Sequence, residues 1–328
     1  MNKFYKRLFF LVLLVVVISG SVIYSTVDIN TLKNLTAFQP WSVAMAVFFV
    51  AVGLVLDGSR LMHLVKISNE HITLKQAVEV VFGNYFLALL TPGATGGAVA
   101  QLMFLRHAGV PAGKATVLVI VRTLVSILFL VCCMPLIFLH DAGILPGVSN
   151  TTLMVISLVA FVGIILIVWM FNTNFLDYFV IRFTRHLSKE RRRKCIAFYR
   201  DVKGASQLLA SSPRSMLRVF FESGLSLIAI YSVVPCLLLG LGVEADWYTV
   251  MGRMIFLNML LYFSPTPGGS GIAEGGFVLL FNETVPAGTV GIVAVSWRLI
   301  AEYIPFLIGF YYTLTVFGRG FLNRQLDK

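Results

Sequence analysis

Long runs without a charged residue dominate the pattern of this chain, at positions 8–24, 41–56, 124–139 and 152–171. Each approaches or reaches the roughly 20 residues that a helix needs to cross hydrocarbon. The apolar residues follow one another without strict alternation. A backbone in lipid must satisfy its own hydrogen bonds, so the pattern predicts helices rather than barrel strands, and an all-α integral membrane fold.

Two further apolar stretches are interrupted. Positions 78–90 and 98–105, each too short to span alone, flank Thr91-Pro92-Gly93-Ala94-Thr95-Gly96-Gly97. Positions 249–281 are broken at Ser264-Pro265-Thr266-Pro267-Gly268-Gly269-Ser270-Gly271. Proline and clustered glycines break helices, and such breaks are tolerated at membrane depth only inside protein or along a cavity. Both stretches are predicted to be re-entrant helical hairpins.

Charge orients the path. Lys3, Lys6 and Arg7 precede the first run, which is predicted to be a retained helix rather than a signal peptide, because the run continues to Tyr24 and more spans follow. The predicted path has six transmembrane helices (8–24, 41–56, 115–139, 152–171, 219–241 and 287–317) plus the two hairpins, with both termini cytoplasmic in an inner membrane. It leaves 22 of the 26 Lys and Arg on the cytoplasmic side, only Lys33 plainly outside, and Arg122, Arg253 and Arg298 in or near membrane segments. Arg60 is assigned to a cytoplasmic loop, and Asp57 and Arg253 to the interface.

The hairpins are related. Pro92-Gly93 and Pro267-Gly268 are 175 residues apart, as are Gly96 and Gly271, and Val110-Pro111-Ala112-Gly113 recurs as Val285-Pro286-Ala287-Gly288 at that offset. Three spans separate the copies, and an odd number reverses orientation. The chain is therefore expected to be a single membrane domain over 1–328 holding an inverted repeat, with halves at about 76–171 and 249–320 and a cytoplasmic basic loop at about 172–215. Gly/Pro-interrupted segments at matching places in two halves point to a transporter's midplane site.

Composition agrees with a lipid-facing surface: only 12% of residues are charged, about half the roughly 25% of a soluble domain. The net charge of +11 is concentrated, with 11 of the 26 basic residues between Arg182 and Arg218. It marks orientation and predicts no nucleic-acid partner. Cys132, Cys133 and Cys236 fall in membrane segments and Cys195 in the basic loop, a spacing that gives neither a disulfide framework nor a zinc site. No metal or cofactor is expected.

The hairpin tips carry the candidate chemistry. A helix that starts after a tip offers unpartnered backbone N–H groups and a positive dipole end, and glycines admit a ligand closely. Pro92, Gly93, Gly96, Gly97, Pro267, Gly268, Gly269, Ser270 and Gly271 therefore suit an anionic group such as a lipid phosphate. Their glycines equally allow tight helix crossing. Arg122 and Arg298 sit in spans, where a charge costs at least about 2.5–3.5 kcal/mol and so pairs or faces a polar cavity. Arg298 and Glu302 share one helical face, with Glu274 just past the second tip. Substrate or proton coupling and a structural ion-pair lock both fit these three. Gln101 suits a headgroup hydrogen bond or a polar helix contact.

Enzyme motifs fit poorly. Gly268-Gly269-Ser270-Gly271 matches the GxSG of rhomboid intramembrane proteases, but the five histidines lie in predicted loops or at membrane edges. Thr91 to Gly97 lacks the lysine of a P-loop.

The run Thr91-Pro92-Gly93-Ala94-Thr95-Gly96-Gly97 through Gln101 to Arg106, with Pro265 to Gly275 and Trp297-Arg298, resembles the lysylphosphatidylglycerol synthase transmembrane family, also called flippase-like or UPF0104 proteins. The resemblance covers about residues 5–320. In the multiple peptide resistance factors that name the family, such a membrane domain translocates aminoacylated phosphatidylglycerol and a separate soluble domain transfers the amino acid. The resemblance thus implies a flippase-like chain whose substrate is a membrane phospholipid, with both hairpins, Glu274 and Arg298 at motif positions. With nothing after Lys328 to house the transferase domain, no aminoacyltransferase activity is expected. The sequence departs from the family at Ala301-Glu302, where relatives often carry Thr-Tyr-Tyr after the arginine. A second reading is a non-transporting scaffold or lipid-sensing partner of a separate lipid-modifying enzyme, with the basic loop docked on anionic lipid.

Overall fold

The structure, a computed structural model, describes residues 38–318 apart from 92, 142–143, 145–147, 173–181, 183, 186–187 and 286–288. The predicted first span, Pro92, the second copy of the Pro-Ala-Gly motif and the terminal cations lie outside the described residues. The described chain is built of helices, without strands. Four are long and apolar enough to cross a membrane: Pro40–Ile67, Ala112–His140, Pro213–Gly240 and Val290–Phe317.

Helix α1 (Pro40–Ile67) starts on a proline, whose missing N–H costs nothing at a helix start. It runs 11 residues beyond the predicted end at Leu56, because no helix breaker intervenes. Asn69, in the left-handed region at φ 58°, stops it, and the Glu70 N–H returns to the Val65 carbonyl at 3.2 Å. Asp57, Arg60 and His63 thereby lie within one continuous helix, so Arg60 and His63 are helix rather than loop residues.

Helix α2 (Leu74–Leu90) opens on a reciprocal cap, in which the Thr73 N–H donates to Gln76 Oε1 and the Gln76 N–H to Thr73 Oγ1. After Thr91, Gly93 and Ala94 both take positive φ, reversing the chain into α3 (Thr95–His107). Gly96 and Gly97 allow the crossing: a Cβ on Gly96 would lie 2.6 Å from the Leu87 carbonyl oxygen, and one on Gly97 3.1 Å from the Ala88 Cβ. Helix α4 (Ala112–His140) and α5 (Asn150–Asn172) follow, the start of α5 tied to the Phe138 carbonyl by Asn150.

The segment expected as a basic loop contains a helix, α6 (Lys189–Ala210). Lys, Arg, Glu and Gln are good helix formers, so high charge does not prevent one. Helices α7 (Pro213–Tyr231) and α8 (Val233–Gly240) make one apolar path. In the second hairpin, α9 (Trp247–Leu261) is capped by Asp246, which accepts from the Thr249 N–H, and the turn leads into α10 (Ile272–Phe281). Helix α11 (Val290–Arg298) passes through a π-helical turn at Leu299–Tyr303 into α12 (Ile304–Thr313).

The chain divides into two compact units, one containing Phe82–Gly97 and everything described from Ser232 onward, the other Ala51–Val81 and Ala98–Tyr231. Both hairpin tips belong to the first. There α2 packs on α12 through Phe86 with Phe306 and Phe310, at ring separations of 5.3 and 5.5 Å. Gly309 admits the Phe82 carbonyl against the backbone of α12. The tips touch: a Cβ on Gly268 would sit 3.1 Å from a Leu89 methyl, and one on Gly93 3.7 Å from the Ser264 carbonyl oxygen. In the second unit Ser226 donates to the Gly53 carbonyl at 2.8 Å, drawing α7 onto α1.

Candidate functional site

The C-terminal end of α11 delivers a guanidinium to the second hairpin tip. Arg298 has no exposed surface, and its flank is apolar: Trp297 stacks on Phe277 at 5.6 Å. Arg298 Nη1 donates to the Gly268 carbonyl at 2.8 Å and pairs with Glu302 Oε2 at 2.7 Å. Nε lies 3.2 Å from Glu274 Oε1, close enough for an ion pair although out of line for a hydrogen bond. The Tyr303 ring centroid is 5.7 Å from the guanidinium carbon. The π turn begins immediately after Arg298, and such turns often mark functional sites.

Two features stand out. One arginine faces two carboxylates, so the cluster carries a formal excess of one negative charge. Arg298 Nη2 and Ser270 Oγ are also buried without a hydrogen-bond partner among the described residues. At a buried depth such orphan groups are costly and mark room for a ligand or water.

The tip amides are engaged. The Gly269 N–H donates to the Thr266 carbonyl and the Ser270 N–H to the Pro267 carbonyl, each at 3.1 Å, and the Gly271 N–H to Glu274 Oε2 at 2.6 Å. At the first tip Gly96 donates to Thr91 Oγ1 at 2.7 Å and Gly97 to the Ala94 carbonyl at 3.0 Å. The start of α10 therefore already holds a carboxylate where an anionic ligand was expected, and Gly96 and Gly97 serve helix crossing.

The remaining predicted residues separate. Gln101 is buried in α3 and Arg122 in α4, both in the second unit. Arg122 pairs with Asp57, which also holds Arg60 three residues on. Arg60 reaches the hydroxyls of Ser126, at 2.7 Å, and Ser223. Nearby, His63 Nδ1 meets Glu222 Oε2 at 2.8 Å, and Arg218 pairs with the other oxygen at 2.9 Å. Sequence reasoning missed Asp57 and Arg60 because charge was taken as the end of a span. The available signal was their i, i+3 spacing before any breaker. Ser270 Oγ makes no hydrogen bond to a histidine among the described residues.

Long apolar helices, broken hairpins and buried ion clusters define a polytopic membrane protein. The chain belongs to the family described as the lysylphosphatidylglycerol synthase TM region, whose profile matches residues 8–309. It is 22% identical over 262 residues to a UPF0104 membrane protein of Archaeoglobus fulgidus, covering 77% of this chain and 76% of that protein. The chain is thus a multi-pass membrane protein of this family, matched through its membrane region.

Proposed function

We propose that this protein is a flippase-like transporter that carries the headgroup of a phospholipid, such as an aminoacylated phosphatidylglycerol, past Arg298 while the acyl chains stay in lipid. The observation that carries the reading is the fully buried Arg298, bound to the broken backbone of a hairpin at Gly268 and flanked by Glu274 and Glu302. A charge is retained at such depth when it pairs or serves a polar path. The excess carboxylate suits an ammonium group or a proton, and Arg298 Nη2 and Ser270 Oγ suit the polar atoms beside it.

The helix breaks after α2 and after α9 fall at the two sequence motifs that are 175 residues apart, which supports an inverted repeat with hairpins entering from opposite faces. Six spans, cytoplasmic termini and an inner-membrane location belong to the same proposal. One half rocking against the other would expose the headgroup to each leaflet in turn. The basic helix α6 favours a second reading, a lipid-docked partner of a separate lipid-modifying enzyme.

Liposomes with fluorescent lysyl-phosphatidylglycerol, phosphatidylethanolamine or phosphatidylglycerol test the proposal by surface quenching. Protein-dependent transbilayer movement of an ammonium-bearing lipid is expected, falling at least tenfold in Arg298→Ala. Equal movement with and without protein for all three lipids refutes it.

A further inference from the structure

The two carboxylates that face Arg298 are not equivalent. Glu274 pairs with it from α10 at 3.2 Å, and its other oxygen accepts the Gly271 N–H at 2.6 Å. That second bond sits at the start of α10, where the positive end of a helix favours a carboxylate. Glu302, on the π turn, pairs with Arg298 through Oε2 alone among the described residues, and its side chain keeps 18% of its surface exposed. The helices packed around this segment bring no second cation to it. Helices α8 and α12 carry no charged residue, only the Cys236 thiol and the Tyr311 and Tyr312 phenols. Arg253 of α9 is held at the far end of α10 by the Leu280 carbonyl and Thr284.

With Glu274 able to neutralise Arg298, the charge of Glu302 is surplus, and surplus charge at this depth is expensive unless something joins it. There is polar room beside it. Arg298 Nη2 and Tyr303 Oη are buried without a hydrogen-bond partner among the described residues, and the Tyr303 ring centroid lies 5.7 Å from the guanidinium carbon. We propose that Glu302 carries a proton whenever no ammonium headgroup occupies the site, so that one proton crosses the membrane in exchange for each ammonium-bearing lipid. As the ammonium leaves, a proton from water bonds to a Glu302 carboxylate oxygen. On the opposite side an arriving ammonium takes its place, the O–H bond breaks and the proton passes to water. One positive charge replaces another and no electron moves, while Glu274 and Arg298 stay ionised throughout. The exchange rests on the transport reading and supplies its driving force, a proton gradient.

The test uses the full-length protein in liposomes that contain fluorescent lysyl-phosphatidylglycerol and a trapped pH dye, with potassium and valinomycin holding the membrane potential at zero. The outside is set one pH unit below the lumen, and surface quenching reads the leaflet distribution. The outer-to-inner ratio of the lipid is expected to rise by at least about threefold, toward the tenfold proton ratio, because linked binding acts in both directions. The lumen should acidify as the lipid moves, and phosphatidylglycerol, which has no ammonium, should show neither effect. Glu302→Gln, a fixed stand-in for the protonated acid, is expected to abolish the response, and Glu302→Asp, which keeps a titratable group, to retain it. Protein-dependent lipid movement whose leaflet ratio ignores the gradient would overturn the exchange and leave the transport reading standing. A response that survives in Glu302→Gln, or is lost equally in Glu302→Gln and Glu302→Asp, would overturn Glu302 as the proton carrier. No protein-dependent lipid movement would overturn both readings.

Discussion

At the scale of single residues, Arg298 and its two glutamates separate a working site from a lock. Breaking a buried ion pair by removing one partner costs about 3–5 kcal/mol, because the other charge is left unpaired. Glu302→Gln does not leave Arg298 unpaired, since Glu274 remains 3.2 Å away. The substitution is expected to change stability by less than about 1 kcal/mol, consistent with removing surplus rather than essential charge, and to lower lipid movement at least tenfold. Denaturant unfolding alongside the liposome assay checks this. A large stability loss with movement intact would identify Glu302 as part of a lock. Asp57→Asn differs, because among the described residues Asp57 is the carboxylate that pairs with Arg122. It is expected to destabilise by about 3–5 kcal/mol, measured in the same way.

At the scale of elements, glycines report which contacts are tight. Gly309→Val would drive a side chain into the Phe82 carbonyl, and overpacking of this kind costs about 1–3 kcal/mol. Gly268→Ala adds left-handed strain at φ 57° to the Leu89 contact, about 1–2 kcal/mol for the backbone alone. Gly291→Ala has open space in α11 and is expected to be neutral or to stabilise by up to about 1 kcal/mol. A lower unfolding temperature for the first two and not the third checks the packing of α2 on α12 and of tip on tip. The hairpin breaks were legible because Thr91 to Gly97 and Pro265 to Gly271 concentrate the residues that end helices. The long helices α1 and α4 were legible from the charge-free runs 41–56 and 124–139, and α7–α8 and α11–α12 from apolar stretches that carry few charges. The end of α1 was not, because Asp57 and Arg60 read locally as a membrane boundary and their partner Arg122 lies 65 residues away from Asp57. Nor was α6, whose charge pattern signals a cytoplasmic segment without distinguishing a loop from a helix.

At the scale of the whole molecule, the cluster around Arg298 carries a formal negative excess, one guanidinium facing two carboxylates. Movement of a headgroup past Arg298 requires the second tip to be reached from both faces. Ser270 is next to that site, half-buried and at the turn into α10. The most direct measurement is therefore thiol labelling of Ser270→Cys in a background where Cys132, Cys133, Cys195 and Cys236 are replaced by serine. An impermeant reagent is applied to sealed vesicles of each orientation. Labelling from both faces, slowed by lysyl-phosphatidylglycerol, is the result the account predicts; labelling from one face only, with no effect of lipid, would contradict it.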